Sequence, residues 1–540
     1  MARAATITVE RGRGRKAPIP LQAAALGVTA LVLLPIVYLV ARALEADASS
    51  WRLIMRWRTV SLTLHTIGLA VAVTLAATAI GVALAWLAVR SDMPGRRVWA
   101  TLFALPLVIP SYVGAFTLLS ALGPTGELQR LLEPLGVERL PDITGFPGAF
   151  LALTLFTYPY VYLVTVAGIR GLDPAFEEAG RVAGRSRAHV FRTVTLPLLR
   201  PSIGAGALLV ALYTLHDFGA VSLMRYPTFT QAIFLQYKAA FDRTPAAILS
   251  LMLAALALVV VVAERRARSR ARYYRSGTGV ARPLRPVPLG RWRWPALVLS
   301  AAVIGVGLVL PAGMLLILLA RGLAAGTPLN LTIWAAGASA LVSGAGAIFA
   351  LVAATPIAVL GARYPSSRSR SVESLSYMGY ALPGLVVALA FVFLASSYMP
   401  LLYQTLPLLV IAYVVMFLPQ TAEPLRAGLL QLTPRMEEAA RTLGRGRGRI
   451  LKDIVFPLIA KPALAGAALV FLTAMKELPA TLLLRPTGFE TLSTRVWTSA
   501  SAGLYSRAAV PALLLMLLSS VPLAVLARRV GVDPEGVRQD

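Results

Sequence analysis

The stretch "EEAGRVAGRSRAHVFRTVTLPLL", Glu177–Leu199, is a charged island in a chain whose residues are 57% hydrophobic. Nearly the same pattern returns 260 residues later as "EEAARTLGRGRGRILKDIVFPLI", Glu437–Ile459. Each copy carries the punctuation of a helix, a turn and a second short helix. Asp173-Pro174 and Thr433-Pro434 put a capping residue ahead of a proline at the first helical position. Glu177 and Glu178, or Glu437 and Glu438, follow near the N-terminal end, where the helix dipole favours negative charge. Gly184 and Gly444 stop the helix, as glycine does just past a C-terminus. Beyond them Val190, Phe191 and Val194, or Ile450, Leu451 and Ile454, make one apolar face. Pro197 and Pro457 are expected to end that second helix just ahead of a membrane span. A single copy reads equally well as a solvated, well-capped loop. Two copies in register read as a paired docking device.

The surroundings of these islands are membrane. The 540 residues have a mean hydropathy of +0.72 and only 14% charged residues, more apolar surface than a soluble fold can hide. Apolar segments long enough to span hydrocarbon fall near 21–44, 61–89, 98–122, 148–169, 202–224 and 246–264. A second set falls near 295–320, 331–360, 372–397, 402–420, 462–484 and 509–529. Arg11, Arg13, Arg15 and Lys16 precede the first run, which is too long for a secretory signal core and reads as an uncleaved helix. The fold class is thus all-α integral membrane, about 12 helices in two halves. Residues 1–264 hold the first half with a polar loop at 171–201, and residues 295–540 hold the second with a loop at 431–461. Between them, 265–294 is a basic linker containing Pro and Gly.

Charge sets the orientation. Lys and Arg total 52 against 24 Asp and Glu, a net charge of +28, which invites a nucleic-acid reading. The basic residues, however, concentrate in short loops on alternate sides of the spans. With the N-terminus cytoplasmic, most of them fall on the cytoplasmic side, as membrane insertion demands. Both ends, the linker and both polar segments then face the cytoplasm. Anionic lipid accounts for the charge without nucleic acid. The halves are repeats: "SLTL" at Ser61 parallels "NLTI" at Asn330, and "ALP" at Ala104 parallels "ALP" at Ala381. An even number of spans in each half makes the repeats parallel, with a pathway expected between them.

The twin segments resemble the cytoplasmic loop of permease subunits of binding-protein-dependent ABC importers, whose signature is E-A-A, three residues, G, nine residues, I-x-L-P. Glu178, Ala179, Gly184, Leu196 and Pro197 match in the first half, with Gly180 and Val194 as departures. Glu438, Ala439, Ala440, Gly444, Ile454 and Pro457 match in the second, with Phe456 in place of Leu. The resemblance covers both halves. It implies a type I permease fold, two coupling loops docking two copies of an ABC ATPase, an extracytoplasmic substrate-binding protein, and a place in a bacterial inner membrane. It also implies a transport subunit rather than an enzyme. No G-x-x-x-x-G-K-[ST] occurs, and "GRGRGR" at Gly444 lacks the Lys-Ser/Thr, so ATP and Mg are expected only on the partner. "DFG" at Asp217 is a chance match inside an apolar run.

Within the spans, "LHDFGA" places His216 and Asp217 where "MKELPA" places Lys476 and Glu477 at the same offset. Ionisable groups there line a pathway or gate, or else form a structural ion-pair layer. Neither pair makes a metal cage, which needs several convergent oxygen ligands. His65 and His189 read as packing or surface residues. Pro106, Pro110, Pro159 and Pro383 mark expected kinks. With no cysteine, the chain has no disulfide and no thiolate metal site.

For substrate, "DFGAVSLMRYPTFTQAIFLQYKAAFDR" and "KELPATLLLRPTGFETLSTRVW" look like the iron(III) branch of fused two-domain permeases, with thiamine as the alternative. The binding protein is expected on Gly123–Pro147, Arg225–Pro245 and Arg485–Arg507. A secondary transporter of two six-helix halves is the competing class, and it would need no ATPase.

Overall fold

The computed structural model describes residues 17–48, 51–52, 56–239, 244–269, 286–326, 330–432 and 434–529. Regular structure among them is helical, apart from one bridge between Ser91 and Val287. Nine helices of the described residues are long and apolar enough to cross a bilayer. With two bent pairs and the shorter apolar helix Tyr505–Ser520, they fall one for one on the twelve expected stretches. Residues 1–16 and most of the basic linker lie outside the described residues.

The Trp57–Arg90 helix shows how sequence pattern becomes packing. Leu62, Thr66, Leu69, Val73, Ala77, Gly81 and Leu84 recur at helical spacing and are buried. Leu64, Val71 and Leu75 on the other side are exposed, an apolar face suited to lipid. Hydrophobicity all round gives no inward drive in lipid, so close contact depends on small residues. A Cβ on Gly206 would stand 2.7 Å from Val161 Cα, and one on Gly466 would stand 2.9 Å from Thr421 Cα. These two crossings are 260 residues apart, so the repeat extends to the helix contacts. Gly206→Leu and Gly466→Leu are each expected to destabilise the chain by about 2–3 kcal/mol through overpacking. A lowered thermal midpoint in detergent checks this, with Gly204→Leu as control because nothing lies within 4 Å of its Cβ position.

The third span of each half is broken rather than kinked. Arg96–Val108 and Ser111–Leu135 meet at 97°, and Ser367–Ala381 likewise breaks before Gly384–Tyr398. Pro110 and Pro383 sit as the residues before Ser111–Leu122 and Gly384–Tyr398, in extended conformation, where the missing amide is harmless. Pro383 therefore corresponds to Pro110, and the match of the two "ALP" triplets is out of register. Pro106 lies in the 3-10 turn Leu105–Val108, whereas Pro159 stays inside an unbroken Phe146–Arg170 helix.

The helices sort into two compact units that cut across the sequence halves. One takes the chain up to Pro35 with Val342–Tyr380 and Val410–Ala474. The other takes Ile36–Leu341, Ala381–Leu409 and Met475–Asp540. In the first unit Thr29 Oγ1 lies 2.8 Å from Ser376 Oγ, both buried. Thr29 of the first span thus packs on a second-half residue.

Candidate functional site

Each polar segment folds as its punctuation requires. The Pro174–Val182 helix begins on Asp173, whose carboxylate accepts the Ala175 amide at 3.0 Å. It ends at Gly184, φ +73°, where the Gly184 and Arg185 amides donate to the carbonyls of Arg181 and Gly180 at 3.0 and 3.2 Å. Pro434–Thr442 ends in the same way at Gly444, φ +77°, with Gly444 and Arg445 donating to Arg441 and Ala440 at 2.9 and 3.1 Å. Only glycine adopts that backbone cheaply. Thr433 lies outside the described residues, as do the side chains of Pro434 and Glu437.

The second short helix does not stop at the proline, which corrects the sequence expectation. Arg187–Val190, capped by Ser186, runs through a π turn at Phe191–Thr195 into Leu196–His216. Arg447–Ile450 runs through Leu451–Val455 into Phe456–Lys476. The wide turn gives the ring of Pro197 or Pro457 room and needs no amide from it. Each segment is therefore continuous with its half's fifth span.

The two glutamates of the first copy divide their work. Arg90 Nη2 and Thr195 Oγ1 both donate to Glu177, the latter at 2.8 Å. Arg90, with a side chain only 7% exposed, also lies over the Trp86 indole at 5.4 Å, and Trp86 packs edge-on against Phe191. Glu177 thus clamps the helix to the end of the second span. Glu178 and Ala179 point outward, beside Phe176 and Val182, which are 43% and 88% exposed. In the second copy Glu438, Ala439, Met436 and Leu443 are exposed, while Ala440 and Ile450 pack with Leu425, Leu429 and Val455. A helix fixed on one face and leaving apolar side chains uncovered on the other suits a partner surface.

The linker's end is stitched beside the first copy. Val287 donates its amide to the Arg90 carbonyl at 2.6 Å, and Leu289 donates to Asp92 Oδ1 at 2.8 Å. Arg293 Nη2 reaches Asp92 Oδ2 at 3.1 Å. The Leu289 amide, and after it Arg293, hold the Asp92 carboxyl below its ordinary range.

The intramembrane pairs sit at breaks in the fifth spans. Leu196–His216 ends there, and Asp217 accepts the amides of Ala220 and Val221 at 2.9 and 3.2 Å, starting the Gly219–Leu223 helix. Ser111 Oγ donates to its other oxygen. Glu477 does the same for Pro479–Leu484, accepting the Ala480 amide at 3.1 Å. Thr230 and Ser493 hydroxyls hold the backbone carbonyls of Asp217 and Glu477 at 2.6 and 3.0 Å. Each acid stands one residue ahead of the N-cap and accepts amides of the short helix's first turn. His65 stacks at a tilt on Tyr226, and His189 meets Arg185 at 3.1 Å, both ordinary packing and surface roles. Sequence reading passed over Arg90; the signal was present, since Arg90 and Arg363 each close the second span of a half.

Comparison with known proteins follows the same lines. The sequence profile described as "binding-protein-dependent transport system inner membrane component" matches twice, over residues 77–273 and 346–531. The chain is 33% identical to the Fe(3+)-transport system permease protein FbpB 2 of Haemophilus influenzae, across 92% of this chain and 95% of that one. It is 25% identical to the ferric transport system permease protein FbpB of Actinobacillus pleuropneumoniae, across 73% and 59%. Against the molybdenum transport system permease protein ModB of Escherichia coli identity is 34%, across 30% of this chain and 69% of that one. A motif present twice, a profile matched twice and near full-length similarity agree: the chain belongs to the family of inner-membrane permease components of binding-protein-dependent ABC import systems.

Proposed function

We propose that this chain forms the translocation pathway for ferric iron, delivered by an extracytoplasmic binding protein and driven by two copies of a separate ABC ATPase. The observation that carries the ATPase reading is the pair of outward-facing coupling helices, each packed by one face and followed, after its glycine turn, by a helix that runs into a membrane span. Glu178, Ala179, Glu438 and Ala439 present to the ATPase, while Glu177, Gly184, Pro197, Gly444 and Pro457 shape the segments that hold them. In this reading ATP and Mg belong to the partner, and both chain ends lie in the cytoplasm. The repeats are 1–264 and 295–540, joined by 265–294. On the opposite side, Glu127 and Arg321 join through two hydrogen bonds and steady a short helix whose Leu131 stays 75% exposed, a surface for the binding protein.

The choice of ferric iron rests on the similarity to ferric permeases over most of the chain. The test is a reconstituted complex of chain, ATPase and candidate binding proteins. ATP hydrolysis is expected to rise with a ferric-loaded binding protein, together with uptake of labelled iron. Stimulation by a thiamine-loaded protein and not by the ferric one would reassign the substrate.

A further inference from the structure

The bases that precede the two acids do something the acids do not. Lys476 Nζ donates to the Leu107 carbonyl at 2.8 Å, 369 residues away in sequence. His216 lies in turn against the backbone of Ala381. Leu107 sits in the 3-10 turn before the break at Pro110, and Ala381 ends the 3-10 turn before the break at Pro383. Each base belongs to one sequence half and reaches the bent third span of the other. A helix break leaves carbonyls without the amides that would have followed, and proline removes one donor more. Water cannot satisfy them in hydrocarbon, so a side-chain donor has strong reason to be there.

Two further contacts complete the arrangement. The short helices past the acids rest on their own halves' third spans beyond the break, Gly219–Leu223 on Ser111–Leu122 and Pro479–Leu484 on Gly384–Tyr398. A Cβ on Gly219 would come within 2.6 Å of Tyr112, so that seat is tight. On the other side of the break, each base ends a helix that starts in its coupling segment, Arg187–His216 and Gly448–Lys476. At 30 residues the first of these is a rod of about 45 Å.

From this placement we propose that His216 and Lys476 are positioning residues for transport, paired latches that hold the bent third spans from the opposite half. Displacement of a coupling segment is carried along its rod and withdraws the latch from the break. The inference rests on the permease reading, and it adds where the stroke is delivered.

The absence of cysteine permits a single reporter thiol. Leu107→Cys and Leu382→Cys, each alone in the full-length chain in sealed vesicles without ATPase, are reacted with a charged, membrane-impermeant thiol reagent. Losing the side-chain hydrogen bond is expected to speed modification about fivefold at the released break. Lys476→Met should do this at Leu107→Cys and spare Leu382→Cys, and His216→Leu should do the reverse. Lys476→Arg should restore the slow rate. Rates within about twofold of the parent in both, or equal acceleration at both reporters, would overturn the proposal. Should Lys476→Met fail to insert, Lys476→Leu gives the same comparison. No ATPase takes part, so failure here is distinct from failure of the coupling reading.

Discussion

Arg90→Met is expected to leave the chain inserted while disconnecting the first coupling helix from the membrane spans. The change strands the Glu177 carboxylate, 20% exposed, beside the apolar ring pair of Trp86 and Phe191. Breaking such a pair should cost about 2–3 kcal/mol, less than for a sealed pair because Glu177 keeps some water. Two readouts separate clamp from general instability. Amides of Pro174–Val182 should exchange faster with solvent while those of Phe146–Arg170 do not, and substrate-stimulated ATP hydrolysis should fall in the assembled complex. Glu177→Gln in the same chain should recover much of the loss, since a neutral amide needs no cation. Unchanged exchange in the Arg90 variant would mean that the clamp carries no load.

Reversing the outward acids attacks the other face of the same device. Glu178 and Glu438 are exposed and belong to segments that present apolar side chains outward. Glu178→Lys and Glu438→Lys should each weaken ATPase binding about tenfold, by repelling the cationic groups expected opposite them. The sites lie in separate segments, so the double variant should lose about a hundredfold. Retention of ATPase on the immobilised chain measures this, with thermal stability as the control. Binding within about twofold of the parent would remove both residues from the docking surface.

Much of this was legible beforehand because the relevant forces are local. Asp173, Gly184 and Gly444 mark helix ends by backbone chemistry alone, and they do so in the structure. Span positions followed from apolar length, which the bilayer dictates. The breaks at Pro110 and Pro383 were not legible, because proline in an apolar run permits either outcome. Pro159 keeps its helix, whereas Pro110 and Pro383 start new ones. The pairing of Arg90 with Glu177 depends on how distant segments meet, as does the reach of Lys476 to Leu107. No periodicity encodes those contacts. The same holds for the π turns, which let Pro197 and Pro457 lie within a continuous path instead of ending it. The role of the acids also turned on tertiary detail: Asp217 and Glu477 accept first-turn amides of short helices that only a break in the fifth span creates.

This chain is expected to move its substrate only when a separate ATPase pulls on both coupling segments. The most direct measurement places purified chain in sealed vesicles, with and without the ATPase and loaded binding protein, and follows solute accumulation. Accumulation is expected only with both partners and ATP, and an imposed ion gradient should have no effect. Concentrative uptake by the chain alone on such a gradient would contradict the account.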